Sequence, residues 1–166
     1  MADETDLIDL LVAHGASVVT AESLTGGRLA ARLTEAPGSS RAFLGGVVTY
    51  ATEAKMAVLD VPEEIVEKYG VVSEECAREM AEGARRLYGS TYALSATGVA
   101  GPDRQEDKPV GTVFVGLAGP EGTEVLSLDL DGDRETIQKS TVAAAVEVLT
   151  ERLGSAGRDP EDPALG

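Results

Sequence analysis

"TAESLTGG", Thr20–Gly27, follows the apolar run "SVV", Ser17–Val19. An apolar run of this length, closed by a serine and two glycines, reads as a short buried strand meeting the start of a helix. Paired glycines weaken a helix start by about 1 kcal/mol each relative to alanine. That cost implies that something approaches the backbone closely at Gly26 and Gly27. A strand leading directly into a helix is the unit of an α/β fold, and the rest of the chain is read outward from it.

On the N-terminal side, "TDLIDLLVAHGA" has apolar residues at helical spacing and a glycine near its end. On the C-terminal side, "TGGRLAARLTEA" reads as a helix that stops before Pro37. "FLGGVVTYA" reads as a second strand, with Gly45 and Gly46 marking a bulge or a close approach. "TEAKMAVLD" reads as a helix capped by Thr52, and Pro62 fits the first position of the short helix "PEEIVEKY". "SEECAREMAEGARRLYG" is a long amphipathic helix opened by Ser73, with Glu74 and Glu75 favouring its first turn. "TYALSATG" is a buried strand, and "GVAGPDRQEDKPVG" is a long polar loop. "VGTVFVGLAG", the turn "PEG" and "TEVLSLDLDG" form a hairpin, and "DRETIQKSTVAAAVEVLTERLG" is a last helix. The pattern predicts one three-layer α/β/α domain with a mixed sheet over residues 1–153, followed by a disordered tail over 154–166.

The chain has 166 residues, 43% of them hydrophobic but only 4% aromatic, so aliphatic side chains and alanine must build its core. Net charge is −15, which argues against nucleic-acid and anionic-membrane partners, since both call for a basic surface. The acidity reads as a solvated surface or as adaptation to high salt. One cysteine, Cys76, rules out an internal disulfide and argues against a cysteine-based metal site. The acidic start "MADETD" is unlike a signal peptide, so a cytoplasmic location is expected.

Ligands of α/β sheets gather at the carboxyl ends of strands. Ser23 stands at such an end, either as a helix cap or as a nucleophile served by the N–H groups of Gly26 and Gly27. A nucleophilic serine needs a base. The chain has one histidine, His14, late in its first helix, so the base must be a lysine held neutral. Of Lys55, Lys68, Lys108 and Lys139, only Lys55 falls in a helix's first turn, where the dipole lowers an amine's pKa. The competing reading pairs Lys55 with Glu53 or Glu64 at the surface. "GVAG", Gly98–Gly101, is an anion-binding nest or a simple glycine turn. Arg134 opens the last helix, either beside a bound anion or free in solvent.

Together "TAESLTGG", "GGVVTYATEAKMAVLDV", "GVVSEECAREMA", "SATGVAGPD", "KPVGTVFVGL" and "GDR" resemble, in order and spacing, the CinA C-terminal domain family, the nicotinamide-nucleotide amidohydrolases. The resemblance covers about residues 5–153. It implies deamidation of nicotinamide mononucleotide to nicotinic acid mononucleotide and ammonia, with no metal or cofactor. It places Ser23, Lys55 and Arg134 in the catalytic role. Thr25, Gly26, Gly27, Thr49, Tyr50, Gly98, Ala100 and Gly101 are then expected to bind substrate. The CinA N-terminal domain has no counterpart in these residues, and a homodimer is expected. Two other readings stay open: a nucleotide-binding or regulatory module without activity, and an oligomerisation or scaffold domain.

Overall fold

The computed structural model describes residues 3–156. Within them the elements run α1 (Glu4–Ala13), β1 (Val18–Glu22), α2 (Arg28–Thr34), β2 (Phe43–Val48), α3 (Thr52–Leu59), α4 (Glu63–Tyr69), α5 (Glu74–Tyr88), β3 (Tyr92–Gly98), β4 (Thr112–Gly119), β5 (Gly122–Asp129) and α6 (Arg134–Ala156). The five strands form one open sheet in the order β2-β1-β3-β4-β5. β1 pairs in parallel with β2 and β3, whereas β4 and β5 are antiparallel additions closed by the Pro120–Glu121 turn. The sheet is therefore mixed, as the hairpin at the end of the alternating pattern requires.

Both faces of the sheet are covered. Leu7, Leu11, Leu29, Leu33, Ile137 and Leu149 from α1, α2 and α6 pack on one face, against Val18, Leu94 and Val113. Leu59, Cys76, Met80 and Ala84 from α3 and α5 pack on the other, against Val19, Ala21 and Ala93. Alternate residues of β1 thus serve opposite cores, which is why all five of its residues are buried. α5 packs unusually close: a Cβ on Gly83 would stand 2.1 Å from the Leu59 carbonyl oxygen.

β1 leads through α2 to β2 on one side, and β2 returns across β1 through α3, α4 and α5 to β3 on the other. The chain diverges at the carboxyl ends of β1 and β3, and a crevice opens where an α/β sheet reverses its direction of winding.

Several local expectations are corrected. α2 starts at Arg28, because Gly26 and Gly27 sit at φ +56° and +101° and build a left-handed turn ahead of it. The paired glycines therefore answer a backbone demand rather than the close approach of a ligand. α3 has Ala51 at its cap position, and Thr52 is its first helical residue. Pro62 caps α4 rather than opening it. α6 continues through Gly154 to Ala156, so the expected tail does not begin at 154, and its remaining part, 157–166, lies outside the described residues. The β2 glycines behave as read: the β1–β2 register slips beside Gly45, and a Cβ on Gly46 would stand 2.1 Å from Thr20 Oγ1.

Candidate active site

Ser23 is the first residue beyond β1. Its N–H donates to Ala96 O at 2.9 Å, extending the β1–β3 ladder by one step, and this sets its position on the crevice floor. The turn that follows is closed by Gly26 N–H donating to Ser23 O at 3.1 Å. Ser23 is not the cap of α2. Gly27 holds the cap position, and the side-chain acceptor for the helix start is Glu22, whose fully buried carboxylate accepts from Leu29 N at 2.7 Å, Ala30 N at 3.0 Å and Thr25 Oγ1 at 2.6 Å. An anion at the helix start satisfies orphan N–H groups and the positive end of the dipole. Ser23 Oγ is thereby left to the crevice.

Lys55 reaches Ser23 from α3. Its Nζ lies 2.9 Å from Ser23 Oγ, 2.7 Å from Thr49 O and 3.1 Å from Tyr50 O. The side chain is 1% exposed. Burial pushes the Lys55 ammonium below the ordinary lysine range, against the pull of Cys76 and Glu106. Burial also holds the Cys76 thiol up, at about 11, so near neutral pH it is uncharged and leaves Glu106 as the opposing charge. A neutral amine has two N–H donors and one lone pair. In that form the two carbonyls take the donors and the lone pair is left for the Ser23 hydroxyl, whereas the ammonium form donates to all three oxygens. The expected surface pairing of Lys55 with Glu53 or Glu64 is absent among the described residues.

The other candidate bases stand elsewhere. His14 bonds Leu10 O at the exposed end of α1, Lys68 lies over the Tyr69 ring, Lys108 donates to Val72 O, and Lys139 pairs with Glu135.

The crevice holds about 420 Å³ and is lined by Ser23, Leu24, Tyr50, Lys55, the Gly98–Pro102 segment and Arg134. Arg134 donates to Gly101 O at 2.5 Å and to Tyr50 Oη at 3.1 Å, so it ties the loop after β3 to the corner after β2. Asp133, whose Oδ1 accepts from Thr136 N at 2.9 Å, caps the helix that Arg134 opens. The N–H groups of Ala100 and Gly101 have no intramolecular acceptor among the described residues and are free for a ligand. No group of three or more His, Cys, Asp or Glu side chains is arranged to hold a metal ion among the described residues.

The crevice thus gathers Ser23, Lys55, Arg134, Tyr50, Gly98, Ala100 and Gly101. Four other expected residues are not among those lining it, though the Thr25 N–H is unpaired among the described residues. Thr25 spends its hydroxyl on Glu22, Gly26 spends its N–H on Ser23 O, and Gly27 caps α2 behind the turn. Thr49 offers Lys55 its backbone oxygen, with its side chain buried away from the crevice.

Two contributors escaped the sequence reading. The clue to Glu22 was an acidic residue closing a fully buried strand. The second is Glu106, whose carboxylate accepts from Val71 N at 3.0 Å and Val72 N at 2.8 Å and pins the long polar loop beside the crevice. Nothing local in the sequence links positions 35 residues apart.

The model of the CinA C-terminal domain matches residues 2–153. The chain belongs to the CinA C-terminal domain family. It is 50% identical over 147 residues to a CinA-like protein of Frankia casuarinae and 46% identical over 158 residues to one of Geotalea uraniireducens. These matches cover 89% and 92% of this chain but only 34% and 38% of the relatives, so the chain spans about a third of their length. Among solved structures, a CinA superfamily protein of Klebsiella pneumoniae is similar at TM-score 0.89 and 36% identity, covering 92% of this chain and 96% of that one. One from Escherichia coli is similar at TM-score 0.83 and 32% identity, covering 91% and 93%. At these TM-scores the solved CinA superfamily structures share the α/β fold of this chain, whose sheet is mixed and five-stranded. No helix among the described residues is long and apolar enough to cross a membrane.

Proposed function

We propose that this CinA-family chain is an amidohydrolase that deamidates nicotinamide mononucleotide by serine–lysine acyl transfer. The observation that carries the reading is the Lys55 amine, buried and 2.9 Å from Ser23 Oγ, with two carbonyls on its donors. A lysine so placed is a general base, and a serine so placed is its nucleophile.

Ser23 Oγ forms a bond to the carboxamide carbon while its proton passes to neutral Lys55. The pyridinium ring, by withdrawing electrons, makes that carbon a better electrophile. The tetrahedral intermediate collapses with cleavage of the C–N bond, and the Lys55 ammonium returns the proton to the departing ammonia. Water, deprotonated by Lys55, then attacks the acyl carbon, the C–O bond to Ser23 breaks as the Lys55 ammonium returns the proton to Ser23 Oγ, and nicotinic acid mononucleotide leaves, losing its carboxyl proton to solvent. The substrate's phosphate is a dianion in a strongly acidic protein. Arg134 and the free N–H groups of Ala100 and Gly101 are the donors on hand to receive it.

Ammonia release from a panel of pyridine nucleotides, with and without a chelator, tests the proposal. Nicotinamide mononucleotide is expected to be hydrolysed equally in both conditions, and Ser23→Ala to abolish turnover while the far-UV circular dichroism spectrum is unchanged. Near-normal turnover in Ser23→Ala removes the mechanism. Binding of the mononucleotide by calorimetry without any ammonia would favour a regulatory module instead.

A further inference from the structure

Gln138 is 5% exposed on α6, one helical turn beyond Arg134 and on the same side of the helix. Its Nε2 donates to Leu24 O at 2.9 Å, across 114 residues of sequence. Leu24 O belongs to the central peptide of the Ser23–Gly26 turn, the turn that carries the proposed nucleophile. A planar trans peptide points its N–H opposite to its C=O. With the carbonyl held toward Gln138, the Thr25 N–H is aimed away from α6. That N–H has no intramolecular acceptor among the described residues. Nothing on the turn's own side chains fixes this plane, since Thr25 and Glu22 hold the α2 side of the turn.

We infer that Gln138 is a positioning residue for acyl transfer, holding the Leu24–Thr25 peptide so that the Thr25 N–H meets the oxyanion formed when Ser23 attacks. The inference rests on the serine–lysine reading above. It replaces Gly26, whose N–H is already spent within the turn. The first two turns of α6 then act together on the crevice, with Arg134 holding the loop after β3 and Gln138 holding the turn after β1. Loss of one oxyanion donor lowers kcat by about 100- to 1000-fold in serine enzymes, and loss of the group that aims it costs a fraction of that.

The test compares Gln138→Glu, which keeps the shape and places an acceptor against a carbonyl, with Gln138→Met, which keeps the length and removes the donor. Two readouts are taken on the full chain. One is kcat and KM for ammonia release from nicotinamide mononucleotide. The other is the rate at which a fluorophosphonate labels Ser23, which needs the nucleophile and the oxyanion donor but not the substrate's sugar or phosphate.

Both variants are expected to lose at least tenfold in kcat and in labelling rate, with KM within about threefold of wild type and the pH of half-maximal rate unmoved. Wild-type kcat and labelling in the two variants, or losses that match the unfolded fraction seen by thermal melting, overturn the inference. Labelling of wild type without ammonia release rejects the substrate and leaves Gln138 to be judged on labelling alone. Failure of wild type to label at all rejects both.

Discussion

Replacing Lys55 by methionine separates the chemical role of the amine from its structural one. Methionine matches the length of the buried stem, but Thr49 O and Tyr50 O lose their donor. Each carbonyl left without a partner costs about 1–3 kcal/mol. Against this, the wild-type native state must bury an amine that is 1% exposed, at a cost that depends on pH. The folded-state pKa of Lys55 is lowered by burial, whereas in the unfolded chain a lysine titrates near about 10.4. Between those two values the unfolded state binds more protons than the native one, so wild-type stability rises with pH. Below the interval both states are protonated and the native state bears the full cost of the buried ammonium. Above it both are neutral. The slope within the interval approaches about 1.4 kcal/mol per pH unit. The methionine variant has no such proton, so the difference between wild type and Lys55→Met should grow in favour of wild type as pH rises through the interval. Urea unfolding of both proteins at a series of pH values from neutral to about 10 measures it. At the same time kcat should fall by about 100- to 10,000-fold, the range for a lost general base. In wild type, kcat/KM should climb with pH as Lys55 loses its proton. A stability difference independent of pH across this range refutes the lowered pKa, and the base assigned to Ser23 goes with it.

Two further outcomes probe the scaffold. Glu22→Ala removes the acceptor for Leu29 N, Ala30 N and Thr25 Oγ1 and should cost about 2–4 kcal/mol in urea unfolding, with the α2 amides losing hydrogen-exchange protection first. Gly83→Ala drives a Cβ to 2.1 Å from Leu59 O, a backbone atom that cannot swing aside. α5 must shift off α3, and a loss of about 1–3 kcal/mol is expected, whereas an unchanged thermal midpoint would contradict the tight α3–α5 contact.

Much of the site was legible because its chemistry is restrictive. One histidine, placed at the far end of α1, left lysine as the candidate base. Only Lys55 sat near a helix start close to a strand end, and the structure delivers its amine to Ser23. The ordered set of short motifs identified the family, and the family model and relatives agree. The misreadings cluster in the Ser23–Gly27 turn. A serine ahead of two glycines looks like a cap and an anion cradle, yet Glu22 supplies the side-chain acceptor for the helix start and Gly26 closes the turn. Thr25 and Thr49 lie in the right segments with their hydroxyls outside the crevice, since neighbours along a chain alternate in direction around a turn or strand end.

Periodicity and turn residues, which act over a few positions, determined by themselves the elements of this chain, the mixed sheet implied by a final hairpin, and the types of side chain available for catalysis. Contacts across the sequence belonged to the tertiary structure alone: Glu106 on the amides of Val71 and Val72, Arg134 on Gly101, and Gln138 on Leu24. The lowered pKa of Lys55 belongs there as well, because desolvation is a property of everything packed around the amine and of nothing adjacent to it in the chain.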